Sequence, residues 1–213
     1  MMSSRPVLVA NGPVRWNEKL AALAAAAEPL LAADGGANHL AKIGRRPIAV
    51  IGDLDSIRPG VRSFVGEERM IHRPDQDRTD LDKSLDYAFA ELGLGGLTVL
   101  GAVGGRIDHA VGNLGLLAAR AMGERLVFLA ADHMILATTG ELVLRAEPGE
   151  IWSFFTFDPA VRVGLEGVRW PVTDASIDLA GHPSISNEAV ADRVTVGATG
   201  GAVVVVRNFR SET

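Results

Sequence analysis

The chain changes rhythm near residue 132. Before that point, short apolar runs (Val7 to Ala10, Leu30 to Ala33, Ile48 to Ile51, Leu97 to Leu100 and Leu126 to Ala130) alternate with longer segments of helical character. Trp16 to Ala27 is Ala-rich and Asn38 to Ile43 is shorter, while Thr79 to Leu92 sets Leu81, Leu85, Ala88 and Leu92 on one helical stripe. Thr79 is placed to cap that helix, with Asp82 as the acid three positions on. Strands separated by helices pair through crossovers, so residues 1–132 are expected to form an α/β domain with a mostly parallel sheet, Rossmann-like and three-layered. Beyond it come β-like runs only: Glu141 to Leu144, Ile151 to Phe157, Arg193 to Val196 and Ala202 to Val206, divided by turns such as Pro148-Gly149 and Gly200-Gly201. Residues 133–213 therefore read as a small all-β sandwich. Its limited core is expected to pack against the first domain or a second subunit.

Composition narrows the function. With 213 residues, 47% of them hydrophobic, the chain can bury a substantial core. Its longest apolar stretches, such as Ala21 to Ala27 and Leu126 to Ala131, fall short of the roughly 18 to 20 residues that span a bilayer. The start, Met1 to Val7, lacks the apolar core of a secretory leader, so a cytoplasmic location without membrane association is expected. No cysteine is present, which excludes disulfides, thiolate nucleophiles and Cys-type zinc sites. A net charge of −5 without a basic run argues against nucleic-acid binding, although a bound cation would let an acidic protein hold an anionic nucleotide.

Carboxylates recur where the strands end. Gly52-Asp53-Leu54-Asp55 comes directly after the run Ile48 to Ile51, at the end of a strand where open α/β sheets bind ligands. In extended backbone, side chains two apart share a face, so Asp53 and Asp55 are expected to converge on one Mg²⁺; the competing reading makes Asp55-Ser56 a turn or cap. Asp34-Gly35-Gly36-Ala37-Asn38 ends the preceding strand, and its glycines would let a ligand approach the backbone, unless Asp-Gly is simply a turn. In Asp75-Gln76-Asp77-Arg78-Thr79-Asp80 the acids meet a helix N-terminus. Asp80 is read as a metal ligand and Lys83 as a phosphate-pairing cation, with a surface ion pair as the rival; Asp75 and Asp86 read as solvated. Gly101 to His109 joins a strand to a helix with Val111, Leu114 and Ala118 on one side. It forms a phosphate cradle that includes Gly104 and Gly105 but is neither a Walker loop nor a dinucleotide fingerprint. Arg106 would clamp phosphate oxygens there, and Asp108 would orient a metal-bound water or a substrate hydroxyl. His109 and Asn113 share a helix face, His109 serving proton transfer or only helix-end support. Farther on, Ser184, Ser186 and Asn187 offer hydrogen-bonding groups in a loop downstream of Trp170, whereas His133, Trp16 and Trp152 read as capping or core residues.

Taken together, Ala33 to Asn38, Gly52 to Ser56, Asp75 to Asp80 with Lys83, Gly104 to His109 with Asn113, and Ser184 to Asn187 resemble the thiamine pyrophosphokinase family over nearly the whole chain. The resemblance implies an α/β catalytic domain followed by a β-sandwich, in a homodimer with its active site at the subunit interface. It implies ATP-dependent transfer of diphosphate to thiamine, with Asp34, Asp53, Asp55 and Asp80 forming an acidic Mg²⁺ and nucleotide site. Gln76 and Asp108 would help place thiamine and the phosphates, and Ser184, Ser186 and Asn187 would reach thiamine from the partner's sandwich. Some members carry an aromatic residue just after that loop; here the chain continues as Glu188-Ala189-Val190, so either Trp170 substitutes or the stacking is weak. Two rival functions share the acids: a Mg²⁺-dependent pyrophosphokinase or hydrolase acting on another heterocyclic alcohol or nucleotide, and an inactive nucleotide or thiamine sensor.

Overall fold

Strand β1, Arg5–Val9, is the pivot of the first unit in the computed structural model, which describes residues 5–209. Residues 1–4, on which the leader reading partly rests, lie outside the described residues. β2 (Ala27–Ala33), β3 (Ala49–Gly52) and β4 (Met70–His72) add to one side of β1 in sequence order, all parallel. β5 (Leu97–Leu100) then returns to the other side, with Val9 facing Leu100, and β6 (Leu126–Leu129) lies beside β5. This reversal of strand order leaves a crevice at the carboxyl ends of β1 and β5, since the loops after them depart to opposite faces.

The helices are α1 (Glu18–Ala25), α2 (Gly36–Lys42), α3 (Pro59–Val65), α4 (Asp80–Asp86, continued by a π-turn over Tyr87–Glu91) and α5 (Ile107–Arg120). Val7, Val9, Leu30, Ala32, Leu40, Val50 and Leu100 pack as the core of this unit, with Trp16 against its edge. The short elements α3 and β4 leave no mark in the sequence pattern because neither is long enough to show a period; α3 starts at Pro59, a proline at a helix's first turn. Two apolar stripes differ from expectation. Leu92 lies past the end of its helix and is exposed, and α5 turns Asn113 and Leu117 inward while Val111 faces solvent.

Internal packing divides the chain into one unit that runs to Asn113 and includes Phe128–Ala131, and another made of Leu114–Val127 and the chain from Asp132 on. The division is thus not a single cut at 132, because the second half of α5 packs with the β-rich part. That second unit contains two antiparallel sheets. β9 (Ile151–Phe155) pairs with β12 (Ser184–Glu188) and β14 (Val203–Asn208), and β14 pairs with β7 (His133–Thr138). In the other sheet β13 (Arg193–Thr199) pairs with β8 (Leu142–Arg145) and β10 (Arg162–Glu166), and β10 with β11 (Val172–Ala175). Alternate residues, among them Trp152 and Phe154 from one sheet and Val163, Leu165, Val194 and Val196 from the other, form a shared core. The sandwich expected from the sequence is present. Trp152 is wholly buried, and His133 Nδ1 lies 2.7 Å from Asp132 Oδ1.

One buried ion pair crosses this core's edge. Arg207 Nη2 donates to Glu150 Oε1 at 2.6 Å, and its guanidinium lies 5.3 Å from the centre of the Trp152 ring. Removing Arg207 would leave the buried Glu150 without its partner cation, so Arg207→Ala should cost about 3 kcal/mol. Arg62, paired with Glu67 in solvent, should be replaceable by alanine without measurable loss. Urea unfolding of the two variants checks the contrast.

Candidate active site

The site is assembled from the loops at the strand ends. After β2 the chain continues its ladder for one residue, with the Asp34 amide donating to Ile51 O at 2.8 Å, and then turns at Asp34 (φ 41) into α2. Gly35 and Gly36 let this turn lie against the end of β1: a Cβ on Gly35 would fall 2.2 Å from Asn11 Oδ1, and one on Gly36 would fall 1.9 Å from Val9 O. The space expected for a ligand beside these glycines is therefore filled by protein. Their role is to close the frame.

Asp34, Asp53 and Asp80 come together, each offering a carboxylate oxygen within 4.8 Å of the others'. Gly52 makes that approach possible, since a Cβ there would fall 2.9 Å from Asp80 Cγ and 3.0 Å from Asp34 Cβ. Donors fix each acid. The Ser56 amide reaches Asp34 Oδ1 (3.3 Å), the Asp53 amide and Lys83 Nζ reach Asp80 Oδ1 (3.2 and 3.1 Å), and the Asp55 amide reaches Asp53 Oδ1 (3.3 Å). Gln76 Nε2 lies 3.4 Å from Asp53 Oδ2. Burial raises the Asp34 carboxyl above the ordinary range, with the Asp80 charge adding to it, against the opposing hydrogen bonds of Ser56 and Gly35. Burial pushes Asp53 the same way, but the hydrogen bonds from Asp55 and Gln76 and the nearby Lys83 outweigh it and leave Asp53 lowered. Lys83 is only 6% exposed, so its pair with Asp80 is not the surface ion pair that its spacing from Asp80 would also allow.

These three acids border a cleft of about 510 Å³ at the β1–β5 crevice, a size suited to a small-molecule ligand. Its wall includes Asn11, Gly12 and Pro13 after β1, which sequence reasoning passes over although Asn-Gly at a strand's end is a turn signal. Arg78 is likewise missed. It lines the cleft and donates through Nε to Asp82 (2.7 Å) and through Nη2 to Asp86 (2.5 Å). The Asp82 carboxylate thus serves Arg78, while the Asp82 amide takes the cap from Thr79 Oγ1 (3.3 Å). Asp86 is not merely solvated; Asp75 is exposed and accepts the Asp77 amide.

Other expected residues separate into wall and support. Asp55 lines the cleft but stands outside the three-acid group, because β3 ends at Gly52 and Leu54 turns the backbone at φ 66, which ends the extended geometry that would have aligned Asp55 with Asp53. Asn38 is tied to Ser56 O (2.9 Å) and to the Arg58 amide (3.0 Å), so it braces the loop after β3. Gly105, Arg106, His109 and Asn113 line the opposite wall, and Gly104 (φ 97) supplies a turn beside it. Asn113 donates to Ala102 O at 2.6 Å, binding α5 to the loop after β5. Arg106 is paired with Asp108, and that hydrogen bond holds the Asp108 carboxyl down to about 2.

In the second unit, Asn187 is 1% exposed and its amide is used internally: it accepts from the Trp170 and Glu188 amides and donates to Trp170 O and Ser184 Oγ. Its role is to frame Trp170, which is 57% exposed. Ser186 (φ 57) is exposed, and its amide donates to Ser153 Oγ.

Residues 20–128 match the family described as thiamin pyrophosphokinase, catalytic domain, and residues 141–203 match thiamin pyrophosphokinase, vitamin B1 binding domain. The chain is 26% identical to thiamine pyrophosphokinase of Bacillus subtilis over 208 residues, covering 94% of this chain and 97% of that protein. It is 30% identical to thiamine pyrophosphokinase 1 of Arabidopsis thaliana over 200 residues, 78% and 73% of the two chains. The crystal structure of the Bacillus subtilis thiamine pyrophosphokinase superposes with a TM-score of 0.83 at 25% identity, covering 98% of this chain and all of that one. A structure of thiamin pyrophosphokinase from Candida albicans shares the fold, with a TM-score of 0.81 at 18% identity over 97% of this chain and 90% of that one.

The contact at Gly52 is open to test. In Gly52→Ala the added methyl must displace Asp80 or Asp34, which should cost about 1–3 kcal/mol of stability. Calorimetric titration with Mn²⁺ should show weaker binding than wild type, whereas Gly60→Ala, where nothing lies within 4 Å of the new methyl, should bind normally.

Proposed function

Because the chain belongs to the thiamine pyrophosphokinase family, enzymes that transfer diphosphate from ATP to thiamine, we propose that the β1–β5 cleft is where this chain performs that transfer. The observation that carries the proposal is the Asp34, Asp53 and Asp80 group at the crevice where the strand order reverses. Three hard oxygen donors suit Mg²⁺, which keeps waters that phosphate oxygens can replace. When bound, it would neutralise charge on the ATP phosphates. Asp55, exposed at the edge of the group, would meet the waters of that ion.

The primary hydroxyl of thiamine attacks the β-phosphorus; the bond from that phosphorus to the oxygen of the α-phosphate breaks, AMP leaves and the hydroxyl proton is lost. The protein's part is to align attacker and leaving group and to balance charge. Lys83, beneath Asp80, holds that carboxylate and adds positive charge near the phosphates. Arg106 would exchange Asp108 for phosphate oxygens, freeing Asp108 to accept from thiamine. Gln76 would hold Asp53 and place thiamine, while His109, Gly104, Gly105 and Asn113 shape the nucleotide wall. Asp34 is the buried base of the site, with Gly35, Gly36 and Asn38 bracing it.

On α5, Ile107 and Val111 are exposed, and the sandwich carries an exposed Trp170 whose carbonyl shares the Asn187 amide with Ser184 Oγ. A homodimer in which each sandwich serves the partner's cleft would cover both surfaces. There Trp170 would stack on thiamine, Ser184 and Ser186 would hydrogen-bond it, and Asn187 would fix Trp170. Among the described residues no helix is long and apolar enough to cross a membrane, and the enzyme is proposed to act in the cytoplasm.

AMP release from ATP and Mg²⁺, measured with and without thiamine, tests the reading. Stoichiometric AMP and thiamine diphosphate are expected; pyrophosphate or ADP with unchanged thiamine would favour the hydrolase or another transferase, and no turnover would favour a sensor. Asp53→Asn should lower turnover at least about a hundredfold. Asp55→Asn, outside the three-acid group, should lose less.

A further inference from the structure

We propose that Leu54 is a positioning residue for the divalent-cation group, aligning Asp53 with Asp34 and Asp80 through an anchor in the core; this rests on the proposal that the three acids hold a divalent cation. Leu54 stands between Asp53 and Asp55 at φ 66, a conformation that glycine or asparagine enters far more readily than leucine. A residue of the wrong type persists in such a conformation only where its surroundings over-determine it. Here the surroundings are apolar: Leu54 is 8% exposed and belongs to the core that contains Val9, Ile57 and Leu100.

Leu54 and Ile57 fasten the loop after β3 at two points, and the residues between them are tied by polar contacts. Ser56 donates its amide to Asp34 Oδ1 (3.3 Å), and its carbonyl accepts from Asn38 Nδ2 (2.9 Å). The Asp55 amide, next along the chain from the anchor, donates to Asp53 Oδ1 (3.3 Å). The left-handed turn therefore does two things. It ends the strand geometry in which Asp53 and Asp55 would share a face, and it aims the Asp55 amide at Asp53. The backbones of Asp34 and Asp80 belong to the end of β2 and the start of α4, so loss of the anchor would act first on Asp53, and on the other two acids only through the amides that Ser56 and Asp53 direct at them.

Two substitutions separate anchor from turn. Leu54→Met keeps an apolar side chain in the core, and Leu54→Asn keeps the left-handed turn while removing the anchor. Mn²⁺ is titrated into the full chain by calorimetry, with thermal unfolding recorded alongside. Leu54→Met should bind close to wild type, and folded Leu54→Asn should bind at least about tenfold more weakly, the loss typical of removing a group that orients a metal ligand. In turnover, Leu54→Asn should need more Mg²⁺ for half-saturation yet approach the wild-type kcat at saturating Mg²⁺. Normal Mn²⁺ binding by Leu54→Asn, or equal weakening in both variants, would overturn the inference. Should Leu54→Asn fail to fold, Leu54→Ala takes its place on the same criteria, and failure of both would assign Leu54 to the fold as a whole and overturn the positioning role. A wild-type chain that binds no Mn²⁺ would overturn the cation reading itself.

Discussion

Three carboxylates held within 4.8 Å of one another repel, and partial burial deprives them of the water that would ordinarily screen the repulsion. The first unit is organised around that cost. Gly52 removes the side chain that would keep the acids apart, backbone amides from Asp53, Asp55 and Ser56 point at them, and the buried Lys83 supplies one positive charge. One cation among three acids leaves the group short of positive charge. On the proposed function a divalent ion would supply the missing positive charge, which ties its binding to the electrostatics of the resting protein.

The same pairing of charges runs through the rest of the cleft. Lys83 is matched with Asp80, Arg78 with Asp82 and Asp86, and Arg106 with Asp108. Arg106 and Asp108 are exposed and can exchange partners with a polyanion at little cost, whereas Lys83 is buried and stays where it is. On the proposed function the first would act as a mobile clamp and the second as a fixed part of the floor. Support is similarly layered. Asn38 and Asn113, which look like ligand contacts in the sequence, commit their amides to the loops after β3 and β5, and Asn187 does the same for Trp170.

Much of this is legible in the sequence for a physical reason: parallel strands buried on both faces appear as short apolar runs, and acids at their ends stand out against them. Asp34, Asp53 and Asp80 are visible in that way. Asp55 lines the cleft outside the three-acid group because a spacing of two translates through ideal strand geometry, while the backbone turns at Leu54, and nothing about a leucine announces a left-handed turn. Gly35 and Gly36 suggest room for a ligand because a sequence cannot show that Asn11 and Val9 already fill the space beside them. Arg78 carries no signal of its own in the sequence, since its partners Asp82 and Asp86 become neighbours only once α4 is built.

On the proposed function, Asp34, Asp53 and Asp80 hold the divalent ion on which diphosphate transfer depends. A crystal structure of the protein with Mn²⁺ and a non-hydrolysable ATP analogue, with the ion located by its anomalous scattering, tests it most directly. An anomalous peak within ligand distance of all three carboxylates and of the analogue's phosphates is the expected result. A peak elsewhere in the cleft, or an analogue bound with no ion among these acids, would mean that the three carboxylates do not hold the ion.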